Sequence, residues 1–263
     1  MAVMENSEPI LEMRGLTKRF GGLVAVDGVD LSLSRALITA IIGPNGAGKT
    51  TIFNMLSGVL RPTAGTIHFR GRRIEGAPPY AIAALGIART FQNVQLFEGM
   101  SVLETVMIGR HTRTRSGLLG AALGLPGSAR EERAGRAICI EALEFVGLAT
   151  RAEDEATSLP FGQQRLVELA RATVAQPQVL LLDEPAAGLN TRERTELARL
   201  IAGLPQRGIT PLLVDHDMDL VMDISNRVSV LNHGRKIAEG PPRQVQSDPG
   251  VIEAYLGEEA AAC

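Results

Sequence analysis

Apolar and polar positions along this chain alternate between two kinds of pattern. The stretches "LITAIIG", which ends at Gly43, and "VLLLDEP", which ends at Pro185, open with unbroken apolar runs typical of strands that are buried on both faces. A third predicted strand, "TPLLVDH", ends at His216. Segments with apolar residues at helical spacing lie between them, for example "KTTIFNMLSG" and 197–204. Buried strands that alternate with helices predict an α/β fold on a mainly parallel sheet.

Other patterns predict an antiparallel β portion. "TIHFRG" alternates apolar and polar residues like a half-buried strand, and "RVSVLNHGRKIAEG" predicts a hairpin that turns at 232–234. The hairpin opens a predicted C-terminal β/helix tail at about 227–263. The length of 263 residues suits one large domain, so we treat 1–263 as a single unit.

A mostly helical insertion is predicted at about 93–176. Ser101 and Glu104 have the spacing of a capping box and predict the start of one of its helices. Residues 109–136 are rich in glycine and arginine, and we expect them to form a mobile excursion within the insertion.

The strand that ends at Gly43 runs directly into "GPNGAGKTT", in which Gly43, Gly48, Lys49 and Thr50 match the phosphate-loop pattern. Glycines let backbone N–H groups wrap around a phosphate chain, and the following helix directs its positive end at the same anion. Lys49 supplies charge to the outer phosphates, and the Thr50 hydroxyl is a ligand for Mg²⁺. The predicted cofactor-binding residues of this loop are Gly43, Pro44, Asn45, Gly46, Ala47, Gly48, Lys49, Thr50 and Thr51.

Two carboxylates, Asp183 and Glu184, follow the apolar run of "VLLLDEP". They lie beside the phosphate loop if their strand is the neighbour of the phosphate-loop strand. We then expect Asp183 to hold Mg²⁺, mostly through water, and Glu184 to polarise an attacking water. Because Asp-Glu-Pro also ends ordinary strands, this assignment depends on the phosphate loop that accompanies it.

Two single polar residues are further candidates. Gln92 ends "ARTFQ" and could reach Mg²⁺ or the attacking water, and His216 ends "LLVDH" and could contact a γ-phosphate. A lone glutamine or histidine at a strand end is usually structural, so neither is persuasive by itself. With Glu184 they complete the predicted catalytic set, and the predicted metal set is Thr50, Gln92 and Asp183.

Charge and composition argue against several classes of function. The net charge of −2 gives no support to nucleic-acid binding, since a phosphate footprint needs excess positive charge, and we expect no nucleic-acid partner. The two cysteines, Cys139 and Cys263, are too few for a disulfide framework and fit a reducing compartment. The acidic, polar start does not resemble a signal peptide, and no apolar run approaches the ~18 residues of a membrane span. Any membrane association is therefore expected to be peripheral.

Taken in order, the motifs resemble those of the ATP-binding subunit of an ABC transporter. "GPNGAGKTT" matches the Walker A loop, Gln92 the Q-loop, "VLLLDEP" the Walker B strand, "AAGLN" the D-loop and His216 the switch histidine. Phe20, in "LTKRFGG", matches the aromatic residue that stacks on adenine. The resemblance implies an ABC-type P-loop domain that binds ATP and Mg²⁺ and hydrolyses the ATP.

The segment "LPFGQQR" falls where this family has its signature, usually Leu-Ser-Gly-Gly-Gln. Two cassettes of the family pack head to tail, so the resemblance implies that the signature faces ATP held by a partner. The residues concerned are Leu159, Pro160, Phe161, Gly162 and Gln163. Pro160 replaces a serine whose hydroxyl contacts the γ-phosphate, and we expect this loss to cost about 1 to 2 kcal/mol of closure energy. Phe161 replaces the first glycine of the pair, and "SRALITA" lacks the Gly-Glu usual before Walker A, which predicts an atypical turn.

Longer segments resemble the ATPase subunit of branched-chain amino acid importers, among them "GIARTFQNVQLFEGMSVLETVMIG" and "DHDMDLVMDISNRVSVLNHG". This resemblance implies import of leucine, isoleucine and valine at the cytoplasmic face of the bacterial inner membrane. The implied partners are a second ABC ATPase in a homo- or heterodimer, two membrane permease subunits and, indirectly, a periplasmic solute-binding protein. A groove at about 93–110 would receive the permease. Two alternatives stay open: the same motor for another polar solute, such as urea or a short amide, and a non-transport or regulatory ABC ATPase.

Overall fold

The structure, a computed structural model, describes residues 8–90, 95–110 and 126–261, with the backbone alone for 126–132 and 256–261. Its strands are β1 (Leu11–Phe20), β2 (Leu23–Leu33), β3 (Thr39–Ile42), β4 (Ala64–Phe69), β5 (Arg72–Arg73), β6 (Ile87–Arg89), β7 (Val179–Asp183), β8 (Thr210–Val214), β9 (Arg227–Asn232) and β10 (Arg235–Gly240). Its α-helices are α1 (Lys49–Leu56), α2 (Pro79–Leu85), α3 (Val102–Ile108), α4 (Pro126–Phe145), α5 (Phe161–Thr173), α6 (Thr191–Gly203), α7 (Met218–Ile224), α8 (Pro242–Gln246) and α9 (Pro249–Ala261).

A six-stranded sheet in the order β10-β9-β3-β8-β7-β6 forms the centre of the fold. Its strands are parallel except for β10, which forms the predicted antiparallel hairpin with β9. An antiparallel sheet in the order β2-β1-β4-β5 lies against it. The predicted α/β class, with a mainly parallel sheet and an antiparallel portion, is confirmed.

The phosphate-loop strand β3 and the carboxylate strand β7 are not neighbours, because β8 pairs with both of them. The condition that these two strands be neighbours is therefore not met. The strand ends are nevertheless level, since Val214 of β8 lies opposite Ile41 of β3 and also opposite Asp183 of β7. Parallel pairing brings all three carboxyl ends to one edge of the sheet, and the site is built on that edge.

Alternation along the central strands divides the core between the two faces of the sheet. Leu180, Leu182 and Leu213 join one apolar cluster with the helices that precede β7. Leu181 and Leu212 face the other way and pack with α1 and the antiparallel sheet. Because these strands are buried on both faces, each appears in the sequence as an unbroken apolar run.

Helices α3, α4 and α5 lie between β6 and β7 in the chain. The predicted capping box of α3 is confirmed, since Ser101 Oγ accepts a hydrogen bond from the Glu104 N–H at 3.2 Å and Glu104 Oε2 accepts one from the Ser101 N–H at 2.8 Å. Residues 111–125 lie outside the described residues. From Pro126 the chain is helical, so the predicted mobile excursion is wrong for 126–136, where a sequence rich in Ala, Glu and Arg favours a helix.

Two local features complete the frame. The turn before β3 is atypical as predicted, because Ala36 adopts a left-handed conformation with φ 57°, a position at which glycine is unstrained. Within the described residues, no helix combines the length and the apolar content that crossing a bilayer requires.

Candidate functional site

The loop between β3 and α1 has a backbone that only glycine accommodates at two positions. Gly43 has φ 147° and Gly48 has φ 102°. A Cβ on Gly48 would lie 2.5 Å from the carbonyl oxygen of Ala25, and one on Gly43 would overlap the carbonyl oxygen of Leu231. The loop is therefore enclosed from behind by the antiparallel sheet and by the end of β9, and its shape depends on these two glycines.

Lys49, the first residue of α1, is buried, and its side chain reaches back into this loop. Its Nζ donates to the carbonyl oxygens of Gly43 at 2.5 Å and Pro44 at 2.8 Å. Asn45 and Gly46, at the crest, are exposed, and a Cβ on Gly46 would meet nothing within 4 Å. An open crest, a central ammonium group and the N-terminus of α1 fit a phosphate chain.

Glu184 follows β7 in a left-handed conformation with φ 48°, which is unfavourable for a residue with a Cβ. Its N–H donates to the carbonyl oxygen of Val214 at 2.7 Å, which holds the strained residue against β8. His216, two residues beyond Val214, places Nε2 3.0 Å from Glu184 Oε1. The sequence thus positions a carboxylate and an imidazole together at the sheet edge.

Asp183, the last residue of β7, is buried and forms an ion pair with Arg89 of β6, at 2.6 Å between Oδ2 and Nη2. Buried Asp215 follows β8 and connects its end with the segment after β7. Its carboxylate accepts a hydrogen bond from the N–H of Ala186 at 3.1 Å, and it also accepts one from the N–H of Asp217 at 2.9 Å. Burial raises the pKa of Asp215 against the opposing effect of these hydrogen bonds.

Phe20 lies at the end of β1, opposite Leu23 of β2 in the hairpin register, and 45% of the residue is exposed. Lys18 Nζ lies 5.0 Å from the centroid of its ring. Backbone hydrogen bonds connect this hairpin to the phosphate loop through Gly234, which accepts from Asp27 at 2.8 Å and donates to Ala47 at 3.1 Å. An exposed ring on a sheet that is anchored to the loop is a suitable platform for a nucleobase.

The signature segment, 159–163, forms the start of α5. Pro160 is the N-cap of the helix. The Phe161 ring is 45% exposed and lies against the D-loop segment, 186–190, with Cε1 2.9 Å from where a Cβ on Gly188 would stand. Gln163 Oε1 accepts a hydrogen bond from Arg151 Nη1 at 2.9 Å. Leu159 is buried beneath the helix start, and Gly162 is buried beside Glu193 of α6.

Residues predicted from the sequence meet at two places. The phosphate loop, Asp183, Glu184 and His216 follow the level ends of three strands, and Phe20 lies on the sheet packed behind the loop. The signature segment packs against the D-loop segment. Gln92 lies outside the described residues. Sequence reasoning missed Arg89 and Asp215, although each stands at the end of a strand near a residue that it did identify.

A phosphate loop on an α/β sheet, a carboxylate–histidine pair at the same edge and an inserted group of helices define an ATP-binding cassette. Residues 26–187 match the family model "ABC transporter", and the chain belongs to this family. Residues 235–261 match a second model, "Branched-chain amino acid ATP-binding cassette transporter".

Similar proteins cover nearly the whole chain. The high-affinity branched-chain amino acid transport ATP-binding protein LivG of Escherichia coli K12 is 47% identical over 253 residues, which are 96% of this chain and 99% of LivG. The corresponding protein BraF of Pseudomonas aeruginosa is 46% identical over the same shares of the two chains. Among solved structures, the ADP conformation of MJ1267, an ATP-binding cassette of an ABC transporter, superimposes with a TM-score of 0.84 at 33% identity and covers 95% of this chain and 100% of MJ1267.

Proposed function

We propose that this chain hydrolyses ATP with Mg²⁺ and thereby powers the import of branched-chain amino acids: leucine, isoleucine and valine. One observation carries the hydrolytic part of the proposal. The Glu184–His216 pair, at 3.0 Å, stands on the same sheet edge as a glycine loop that encloses Lys49. The names of LivG and BraF, and the family model matched at 235–261, support the class of solute.

Each residue at the sheet edge has a proposed task. The N–H groups of 43–51 and Lys49 bind the phosphates, and Phe20 stacks on adenine. Thr50, Asp183 and Gln92 hold Mg²⁺, which neutralises phosphate charge when it is bound. Glu184 accepts a hydrogen bond from water and polarises it for attack on the γ-phosphorus, as the bond from that phosphorus to the bridging oxygen breaks.

His216 has two proposed contacts, one to Glu184 and one to the γ-phosphate. The bond to Glu184 holds the carboxylate in a fixed direction. An imidazole N–H directed at the γ-phosphate would also form a hydrogen bond that exists only while that phosphate is present. Loss of the phosphate on hydrolysis then removes one of the contacts that hold the site closed.

The signature segment is proposed to bind ATP held by a second ABC ATPase, identical or not. Residues 159–163 form a helix N-terminus, and the positive end of the helix dipole there favours an anion. ATP between two cassettes would stabilise a closed dimer, and hydrolysis would release it. Pro160 supplies no hydroxyl to the γ-phosphate. We therefore expect closure of the dimer to depend more on backbone N–H groups than it would with serine at position 160.

The permease contact is proposed for a groove between the two parts of the cassette. The groove has a volume of about 410 Å³, and it is lined mainly by apolar surface that includes Val59, Ile82, Phe97 and Ile108. We propose that 93–176 form the helical subdomain beside it, and that 227–263 form a C-terminal tail of the same domain. A permease helix bound there would hold the chain at the cytoplasmic face of the inner membrane, with a periplasmic binding protein delivering solute from the other side.

Three measurements test this function. The full chain should hydrolyse ATP when Mg²⁺ is present, and Lys49→Ala should abolish this turnover. Turnover in that variant equal to that of the parent chain would contradict the assignment of the ATP site. Glu184→Gln, studied by light scattering, should form a dimer only with MgATP, because it binds without hydrolysing. Uptake of labelled leucine by cells with and without this subunit tests the solute, and unchanged uptake would exclude it.

A further inference from the structure

We infer that Arg89 is a positioning residue for Asp183, and that it sets the direction from which Asp183 serves a bound metal ion. The inference rests on the proposed function, in which Asp183 helps to hold Mg²⁺. Arg89 ends β6, the edge strand beside β7, and its Nη2 lies 2.6 Å from Asp183 Oδ2. Only 12% of the arginine side chain and 5% of the aspartate side chain are exposed, so solvent does little to weaken this pair.

The guanidinium also reaches the helix that begins with Lys49. Its Nη1 donates to Asn54 Oδ1 at 2.7 Å and to Ser57 Oγ at 3.0 Å, and its Cζ lies 5.8 Å from the centroid of the Phe53 ring. Ser57 Oγ in turn donates to the carbonyl oxygen of Phe53 at 2.8 Å. One side chain from β6 therefore connects the carboxylate at the end of β7 with α1.

This arrangement requires the shape of arginine as well as its charge. A planar guanidinium presents several N–H groups in fixed directions, so one edge binds a carboxylate while another binds neutral oxygens. A lysine ammonium, on a flexible stem, would keep the charge near Asp183 without holding Asn54 and Ser57 at the same time. Engagement of Oδ2 restricts rotation of the carboxylate, and that restriction fixes where Oδ1 points.

Two effects of Arg89 on metal affinity oppose each other. Its positive charge repels a cation at Asp183, whereas its hydrogen bond to Oδ2 orients the carboxylate. Partners that orient metal ligands typically change metal affinity by about 10–100-fold when they are removed. We therefore expect orientation to prevail, so that removal of Arg89 weakens metal binding.

The experiment uses the full chain with ATP and with Mn²⁺ as a paramagnetic probe for the Mg²⁺ position. Arg89→Met removes both the positive charge and the guanidinium hydrogen bonds, and Arg89→Lys keeps the positive charge alone. Asn54→Ala keeps the ion pair with Asp183 but removes the hydrogen bond from Arg89 Nη1 to Asn54. Arg136→Met is the matched control. Arg136 forms an ion pair of 2.7 Å with Glu153, and both side chains are mostly exposed to solvent. Mn²⁺ affinity is read by electron paramagnetic resonance, and ATP affinity is measured separately in EDTA.

We expect ATP affinity in EDTA to stay within about twofold of the parent chain in every variant, because Arg89 does not touch the phosphate loop in the described contacts. Mn²⁺ affinity should fall about 10–100-fold in Arg89→Met, less in Arg89→Lys and least in Asn54→Ala. Arg136→Met should match the parent.

Parental Mn²⁺ affinity in both Arg89 variants, or tighter binding in Arg89→Met, would overturn the inference. If Arg89→Met does not fold, Arg89→Lys decides, and parental affinity in that variant has the same consequence. Failure of the parent chain itself to bind Mn²⁺ with ATP would overturn the proposed metal site and the inference together. A defect confined to the variants therefore remains distinguishable from a failure of the proposed function.

Discussion

Glu193 Cδ lies 2.5 Å from the point at which a Cβ on Gly162 would stand, so any larger residue at position 162 must displace the Glu193 side chain. The glutamate cannot swing away without loss, because it belongs to a capping box. Glu193 Oε2 accepts the N–H of Asn190 at 3.0 Å, and Asn190 Oδ1 accepts the N–H of Glu193 at 3.1 Å. The start of α5 and the start of α6 are therefore coupled through one side chain.

This contact predicts that the effect of Gly162→Ala on stability reverses its sign with the residue at position 193. In the parent chain the new methyl group displaces Glu193 and costs about 1 kcal/mol of cap energy or more. In a Glu193→Ala background the obstacle is gone, and alanine gains up to about 0.5–1 kcal/mol of helix propensity. Urea unfolding of the two single variants and the double variant measures this coupling. Additive effects would show that the two helix ends are independent.

Gly48→Ala should lose both ATP binding and stability. The position combines φ 102° with a carbonyl oxygen 2.5 Å from any added Cβ. We expect a loss of at least about 2 kcal/mol in the free energy of unfolding, from left-handed strain and overpacking together. Gly22→Ala is the control for stability, since a Cβ there would meet nothing within 4 Å, and it should remain within about 0.5 kcal/mol of the parent. A stable Gly48→Ala chain that binds ATP would contradict the loop geometry.

Glu168→Gln tests a buried carboxylate in α5 by the pH dependence of stability. Burial raises the pKa of Glu168, although the Gln95 N–H, Arg165 and Arg171 act in the opposite direction. The stability that this carboxyl contributes is present below the ordinary glutamate pKa, and it is lost as pH rises through the raised value. The variant cannot ionise, so its free energy of unfolding should increase relative to the parent as pH rises from about 4 towards neutrality.

Glu104→Gln supplies a control of opposite sign. The backbone N–H of Ser101 lowers the pKa of Glu104 in the capping box of α3. Stability from this group is therefore present above the ordinary glutamate pKa and lost as pH falls through the lowered value. The free energy of unfolding of this variant should therefore fall relative to that of the parent chain as pH rises through that window. The same direction of change in both variants would contradict the prediction for Glu168.

Cys139 should be inert to thiol reagents until the chain opens. It is fully buried in α4, and burial raises the pKa of its thiol. In a Cys263→Ser background, we expect modification at least about 10³-fold slower than that of an unfolded chain, because reaction requires an opening of α4. Stopped-flow reaction with a chromogenic disulfide measures the rate with and without urea. A native rate close to the unfolded one would show that α4 opens locally.

Much of the fold follows from local patterns in the sequence. The apolar runs of β3, β7 and β8 are evident because both faces of these strands are buried. In contrast, β1 was not predicted as a strand, since its pairing with β2 has irregular register and its residues alternate poorly between buried and exposed. The start of α4 was also missed, because glycine and arginine in 109–136 suggested mobility more than a helix.

The phosphate loop could be predicted from the sequence because its residues are contiguous, and contiguous backbone makes the binding surface. Gly43, Gly48 and Lys49 need only each other and one strand–helix junction to form it. Glu184 and His216 could be proposed singly, each from the end of a strand. That they stand 3.0 Å apart depends on the parallel pairing of β7 with β8, which is a matter of strand order.

The sequence by itself determined the class of domain, the glycine-rich loop that we propose binds phosphates, and the order of the motifs, because each of these depends on neighbours along the chain. Only the tertiary structure decided that Arg89 pairs with Asp183 across 94 positions, and that Gly162 faces Glu193. Such contacts are set by the packing of strands and helices that are distant in sequence. Periodicity and motif spacing describe one element at a time, so they do not indicate which elements pack against each other.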